Sequence, residues 1–535
     1  MIGSYIIAYD VGTTAVKTCL FEVSREIELI AYASAAYPLK LYENGGAEQN
    51  PDDWWSAMYL TTRQVLKSSQ IAPEKIAGLS FCSQMQGLVL VDKQGSPLRP
   101  AMSYMDQRAG SELKEGMAHG IRIAGCNVRK LLKSLHITGA VAASVKDPVW
   151  KYKWVEKNEP SLFQNLYQWL DVKEYLILKC TGKFVMTTDS AFATLLYDTR
   201  KGHSGFSKAM CRMLGVNPSH LPQLIESTAQ AGSLTIEAAE ELGLTAGTPV
   251  FGGGGDASLI GVGAGAVKTG ATHIYCGTSG WVSTVVDRKI VDTTAMIAAI
   301  LGARNGSYNY FAELETAGKC LEWVKDHLAL DEIDIYLEKK KVTEAYETFY
   351  TSLYDYMMDT IVKIPAGSNG VIFTPWLHGN RCPFENPNVR GMFFNISLDT
   401  GKTQLIRSVL EGVCYHMKWM LDAQDKKIKT SKVIRFVGGG ALSSLTCQIL
   451  ADILDRKIET VPNPQNVGSV GAAITAAVGL GIIGSLEQAD ELVHSSASFV
   501  PNPVNRKIYD LGYQTFKQLY LSNKKIFSTM NRTKK

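Results

Sequence analysis

No two of the ten cysteines stand within four residues of each other, so the chain has neither a zinc-type Cys-x-x-Cys pair nor a dense disulfide framework. Isolated cysteines suit a reducing compartment, where they behave as small buried hydrophobes, and the cytoplasm is the expected location. Long apolar runs are missing as well. Tyr5-Ile-Ile-Ala-Tyr9 is too short for a signal-peptide core and ends in Asp10. The most apolar stretch, Val470 to Ile483, is rich in Gly and Ala, falls short of a membrane span, and reads as a tightly packed helix. Basic blocks are lacking too: 55 Lys and Arg against 51 Asp and Glu leave a net charge of +4 spread along the chain. That balance argues against nucleic-acid and membrane-surface roles.

What is present is the composition of a soluble globular enzyme, 46% hydrophobic and 20% charged, and the length of 535 residues predicts two domains of roughly 250 residues each. Near the middle, Phe251 is followed by four glycines, Gly252 to Gly255, and then by Asp256. Glycines free the backbone for unusual dihedrals and for close approach of a ligand. Pro249-Val-Phe251 reads as a short buried strand, which puts Asp256 at a strand's carboxyl end, where open α/β sheets place their ligands. The plain alternative is a hinge with a solvated aspartate.

Two further loops weigh against the hinge. Strand Tyr5–Tyr9 turns at Asp10-Val-Gly12-Thr13-Thr14 into strand Val16–Phe21, a hairpin with a polar tip. Near residue 250 the pattern restarts: strand Thr272–Cys276 leads into Gly277-Thr278-Ser279-Gly280. Glycine exposes N–H groups and hydroxyls add donors, so each tip can grip phosphate oxygens. Asp10 would repel phosphate unless a cation lay between them, and a hydrated Mg²⁺ suits that arrangement; Lys17 on the returning strand adds charge. A third strand, Val433–Val437, ends in Gly438-Gly439-Gly440, with a helix starting near Ser443 or Ser444. Helices are also predicted from Trp54 to Ser68, Val149 to Lys157, Val172 to Cys180 and, strongly amphipathic, Gln404 to Leu421, where Leu405, Val409, Val413 and Met417 repeat every fourth residue. Strands Ile76–Cys82 and Leu88–Val91 flank the polar insert Ser83 to Gly87. Together these suggest a duplicated α/β domain around a central cleft. Rival nucleotide signatures fail: Gly401-Lys-Thr has Ile396 where a Walker loop needs its first glycine, and in Gly261-Val-Gly-Ala-Gly265 the third glycine falls one residue early for a dinucleotide fingerprint.

The residues also occur in an order that resembles the FGGY family of carbohydrate kinases over essentially the whole chain, xylulokinases most of all. The segments are Asp10-Val-Gly-Thr-Thr; Ser83-Gln-Met-Gln-Gly-Leu-Val; Asp106-Gln-Arg-Ala; Lys151-Tyr-Lys-Trp-Val; Gly252 to Asp256; Gly277-Thr-Ser-Gly; Ile364-Pro-Ala-Gly-Ser-Asn-Gly; Gly379-Asn-Arg-Cys-Pro with Asn386-Pro-Asn-Val-Arg-Gly; Arg407-Ser-Val-Leu-Glu-Gly; and Gly438-Gly-Gly-Ala. The resemblance implies two ribonuclease-H-like domains of the actin-like ATPase kind, 1–252 and 253–535, closing on ATP and a sugar. It implies Asp256 as catalytic base, and Asp10 with Asp256 as the metal-facing acids. Gly12, Thr13, Thr14, Lys17, Gly277, Thr278 and Ser279 would clamp phosphate, and Gly438, Gly439 and Gly440 would lie on the adenine side. Gln84, Met85, Gln86, Asp106 and Arg108, together with Asp256, would hold the sugar.

The chain departs from the xylulokinase pattern in places. Gln86 stands where those enzymes usually carry His, and Gly379-Asn-Arg-Cys-Pro replaces Gly-Glu-Arg-Thr-Pro; Gln can donate and accept but cannot become cationic. Ile333 to Ile364 is longer and more aromatic than usual and reads as helical packing or an oligomer contact. His378 is a ligand contact or a structural histidine, and Trp54 and Trp55 read as core, with one of them lining the sugar pocket as the alternative. The expected activity is ATP- and Mg²⁺-dependent phosphorylation of a terminal hydroxyl of a small ketose or polyol, D-xylulose first, with other ketopentoses, polyols and gluconate as alternatives. An actin-like ATPase module and an inactive sugar sensor are the readings from other classes. The partner is a small sugar, with a homodimer allowed.

Overall fold

The computed structural model describes residues 3–123, 125–328 and 353–531. The aromatic stretch from Ile333 lies, up to residue 352, outside the described residues, as does the tail beyond Asn531.

Strands β1 (Ser4–Val11), β2 (Ala15–Val23) and β3 (Ile27–Ala36) form an antiparallel meander, and β4 (Ile76–Ser83) lies parallel to β1 on its other side. Strands β5 (Gln230–Ser233) and β6 (Pro249–Phe251) extend the sheet beyond β4, and β7 (Gly254–Gly255) also pairs with β4. The strand order is thus β5-β6-β4-β1-β2-β3. The second sheet repeats the central motif. Strand β8 (Thr272–Cys276) is antiparallel to its hairpin partner β9 (Gly280–Val286). Beyond β9 lie β10 (Val291–Asp292), β11 (Ile297–Leu301) and β12 (Tyr308–Leu314). On the other side β8 runs parallel to β13 (Val433–Val437), followed by β14 (Lys457–Thr460) and β15 (Ala497–Phe499), in the order β10-β11-β12-β9-β8-β13-β14-β15. In both sheets the central strand has a hairpin neighbour and a crossover neighbour, and both hairpin tips carry the Gly-Thr pair. The predicted duplication is therefore real at the level of topology. The predicted boundary at 252/253 falls within the glycine run, three residues before the first sheet's last bridge ends at Gly255.

Helix α1 (Pro51–Ser69) starts on Asn50, whose side chain accepts from Asp52 N, with Pro51 at the first position. It buries Trp54 and Trp55, which are 1% and 6% exposed, as core residues. Helix α2 (Asp256–Gly263) springs from the glycine run and contains much of the rejected dinucleotide candidate. Helix α3 (Lys402–Asp425) spans the predicted Gln404–Leu421 and extends past both ends. The fourfold apolar repeat described only part of it, because its polar face is buried as well. Arg407 pairs with Glu411 at 3.1 Å, Glu411 accepts from Gly367 N and Ser368 Oγ, and Gln424 Nε2 donates to Val282 O and Tyr310 O. Buried polar groups satisfied in this way are compatible with an interior helix. Helix α4 (Ser444–Leu454) is capped by Ser443, which accepts from Thr446 N.

Helix α5 (Val467–Gly479) belongs late in the chain yet packs on β1 and β4 of the first sheet. Thr475 Oγ1 lies 3.0 Å from Ser80 Oγ, and a Cβ on Gly471 would fall 2.3 Å from Leu259 O of α2. The Gly/Ala composition noted in the sequence is what lets α2 and α5 approach this closely.

Candidate functional site

Asp10 is the penultimate residue of β1, level with Lys17 on β2 and Cys82 on β4. Burial pushes its carboxyl above the ordinary value, while Lys17 and a hydrogen bond with Cys82 pull it back. The tip beyond it is fixed by hydrogen bonds: Gly12 N donates to Ala15 O, Tyr37 OH donates to Gly12 O at 2.6 Å, and Gln49 Nε2 donates to Thr13 O at 2.8 Å. Thr14 is exposed. The Lys17 ammonium donates to Gln465 O at 2.9 Å, just ahead of α5, so it ties the hairpin to the later part of the chain.

Asp256 opens α2 and accepts from Ala257 N at 2.8 Å. Burial lifts its carboxyl to about 7 against that hydrogen bond, and the charges of Asp10, Glu313 and Asp189 add to the rise. The glycines before it are needed for space. Gly253 has φ +62 and would place a Cβ 2.0 Å from Phe81 O, and a Cβ on Gly255 would fall 2.1 Å from Met85 Sδ. Met85, predicted on the sugar side, therefore packs against the backbone that carries Asp256.

The residues predicted on the sugar side lie around a buried ionic cluster. Asp106 is fully buried. Its carboxylate accepts from Ala47 N at 2.9 Å and from Arg108 Nε and Nη2 at 3.0 and 2.7 Å. Arg108 also pairs with Glu48 at 2.6 Å and lies over the Trp154 ring at 4.5 Å. Gln84 donates to Gln49 Oε1 at 2.9 Å, and its own side-chain oxygen is buried without a partner. Gln86 sits at φ +63, and its carbonyl accepts from Lys151 Nζ at 2.6 Å; Lys151 also donates to Ser103 O. Burial lowers Lys151 to about 8.

The second hairpin tip packs Gly277, Thr278 and Ser279 against the start of the helix Gly318–His327 that comes after β12, with Ala317 N and Lys319 N donating to Thr278 O and Gly318 N donating to Gly277 O. Thr278 is exposed. Gly438 has φ +90, and its Cβ would meet Cys276 O at 2.6 Å, so no side chain fits between the ends of β8 and β13. Gly439 next to it is exposed with open space where a side chain would be. His378 is exposed.

Sequence reasoning did not assign Gln49, Tyr104, Lys151 or Arg381. Thr13 Oγ1 donates to Tyr104 OH at 3.4 Å; burial raises the Tyr104 phenol against that hydrogen bond, and the charge of Asp256 adds to the rise. Arg381 pairs with Glu313 at 2.8 Å. The one available signal was Lys151, a lysine inside an otherwise apolar and aromatic helix face. Among the described residues no cluster of three or more His, Cys, Asp or Glu side chains could hold a metal ion, and no helix is long and apolar enough to cross a membrane.

The N-terminal domain of the FGGY family of carbohydrate kinases matches residues 5–263, and the C-terminal domain of the same family matches residues 273–480. A xylulose kinase from Bacillus subtilis is 27% identical over 534 residues, covering 99% of each chain. A gluconokinase from the same organism is 28% identical over 508 residues, covering 95% of this chain and 93% of its own. The crystal structure of a ligand-bound xylulose kinase from Lactobacillus acidophilus superposes with a TM-score of 0.82 at 24% identity, covering 98% of this chain and 100% of that one.

Proposed function

This chain belongs to the FGGY family of carbohydrate kinases, and we propose that within it the enzyme phosphorylates a terminal hydroxyl of a ketopentose, D-xylulose first. The actin-like two-domain fold and the family membership make it a sugar kinase that transfers phosphate from ATP to an alcohol. The observation that carries the reading is Asp256: a partly dehydrated carboxylate, raised to about 7, at the start of a helix beside the predicted sugar-side residues.

Phosphoryl transfer asks the protein mainly for positioning and charge neutralisation, with one carboxylate to accept the hydroxyl proton. Asp256 takes that proton. The backbone N–H groups and hydroxyls of Thr13, Thr14, Thr278 and Ser279 face the phosphates, Gly12 and Gly277 shape the two tips with their own N–H groups bonded to Ala15 O and Ser279 O, and Gly438, Gly439 and Gly440 leave room for the adenine. Lys17 acts by fixing the hairpin to Gln465. Arg108 and the Gln84–Gln86 segment hold the sugar, and Asp106 orients Arg108 from below. Asp10 and Asp256 fit a hydrated Mg²⁺: burial raises both carboxyls and Lys17 is committed to a carbonyl, so a cation there would favour their ionised, oxygen-only form, with phosphate and water as its other ligands. Bound there, Mg²⁺ would neutralise charge on the transferred phosphoryl group.

A gluconate reading is kept by the gluconokinase relative and by Gln86. The ketose is favoured because the sugar-side guanidinium is already paired with Asp106 and Glu48, leaving it little charge for a substrate carboxylate. Measured ADP release with Mg-ATP should rise most with D-xylulose; a larger kcat/KM for gluconate would transfer the assignment to the aldonate. A cytoplasmic location and a homodimer complete the proposal, the latter checked by sedimentation equilibrium.

A further inference from the structure

Directly behind the glycine run lies a group of buried charges that the reading above does not use. Lys173 and Glu174 are fully buried and form an ion pair. Lys173 Nζ also donates to Thr187 Oγ1 and, at 2.7 Å, to Ser190 Oγ. Thr187 Oγ1 in turn donates to Asp189 Oδ1. Asp189 is 1% exposed, and its second oxygen accepts the backbone N–H of Gly255 at 2.7 Å. Gly255 is the last residue before Asp256 and caps α2 in an extended conformation. Gly254 passes so close that a Cβ there would lie 2.9 Å from Asp189 Oδ2.

A buried carboxylate is costly unless its oxygens are engaged and its charge is matched. Here one oxygen is braced by Thr187, the neighbouring Lys173 supplies the opposite charge, and the other oxygen is spent on a single backbone N–H. The Asp256 carboxylate takes its hydrogen bond from its own neighbour, Ala257 N, so its direction follows the local backbone. Glycines are the most permissive residues, and the two-residue pairing of β7 with β4 is a short restraint on that backbone, which the Asp189 contact reinforces at Gly255. We propose that Asp189 is a positioning residue for the phosphoryl-transfer step: by holding the Gly255 N–H against the Lys173–Thr187 brace, it fixes the backbone from which Asp256 reaches the substrate hydroxyl. The proposal rests on Asp256 being the base.

Steady-state kinetics of the full chain with Mg-ATP and D-xylulose, with Asp256→Ala run alongside, test it. Misplacing a reacting group by about 1 Å costs up to about 100-fold, so Asp189→Ala should lower kcat about 10- to 100-fold. KM for ATP and D-xylulose should stay within about 3-fold. Asp189→Asn, whose carbonyl still accepts from Gly255, should recover kcat to within about 3-fold of the wild type. If both variants only melt earlier, with kcat per folded enzyme intact, the role is structural and the proposal falls. Should Asp189→Ala fail to fold, Thr187→Val releases the brace with the carboxylate in place; a lowered kcat at unchanged KM supports the proposal and an unchanged kcat overturns it. Wild-type turnover in Asp256→Ala would instead remove the base assignment, and the positioning role with it.

Discussion

Asp256 differs from a surface aspartate in where it loses its proton. With its carboxyl lifted to about 7 in the free enzyme, kcat/KM is expected to fall on the acid side of a limb centred near pH 7, because a base must be ionised to accept a proton. A profile flat down to pH 5 would contradict the assignment. Asp147 gives a second, independent titration. Burial raises it to about 6, against a hydrogen bond from Ser144 N and the charges of Arg381 and Lys151. Its ordinary value is 3.8, so the folded state holds the proton more tightly than the unfolded chain. Stability from this group is full below pH 3.8 and is lost as pH rises through 6. Asp147→Asn should therefore match the wild type in acid and exceed it by about 1–3 kcal/mol at pH 7.5, read from urea unfolding at both pH values. The placement of Asp10 and Asp256 at the ends of strands, and the two Gly-Thr hairpin tips, were legible in the sequence because polar, glycine-bearing turns punctuate apolar strands there. Asp189, Lys173 and Glu174 were not. Thr187-Thr-Asp189-Ser reads as an ordinary helix start, and an adjacent Lys-Glu pair reads as a solvated face until the tertiary fold buries it.

Among the elements, α5 does most to join sequence-distant parts of the site. Its start faces Asp10: a Cβ on Gly468 would lie 3.0 Å from Asp10 Oδ2 and 3.0 Å from Cys82 Sγ. Its middle presses on α2, where a Cβ on Gly471 would overlap Leu259 O at 2.3 Å. The two glycines should fail differently. Gly471→Ala is expected to cost at least about 1–3 kcal/mol of stability, as overpacking of a tight interface does. Gly468→Ala should fold but raise the KM for Mg-ATP by displacing Asp10, measured against an unchanged melting temperature. An equal loss of stability in both would refute the distinction. The sequence reading found α1 and α3 to within a few residues at either end, α4 by its start, and α5 from its Gly- and Ala-rich composition. It missed β3, whose Ala- and Ser-containing residues alternate only weakly on the edge of the sheet. It also described α3 as amphipathic, because the polar partners that let its second face be buried come from distant segments.

For the whole molecule, charge and composition excluded other functions but could not choose a substrate. What brings the two halves together is visible only in three dimensions. Lys17 reaches Gln465 O, and Lys289 reaches Thr199 Oγ1 at 2.8 Å and His136 O at 3.3 Å, so links between the halves occur both beside Asp10 and away from it. Such an arrangement suits two lobes that close on substrates and keep water from the phosphoryl group. The actin-like ATPase module and the silent sensor share that architecture, and they differ from a sugar kinase in one observable, the coupling of ATP consumption to a sugar. ADP release from Mg-ATP, recorded for the wild type and for Asp256→Ala across ketoses, polyols and aldonic acids, tests this directly. Strong stimulation by a ketopentose is expected, reduced about 10²- to 10⁴-fold in the variant while ATP still binds. Sugar-independent hydrolysis, or wild-type turnover in Asp256→Ala, would contradict it.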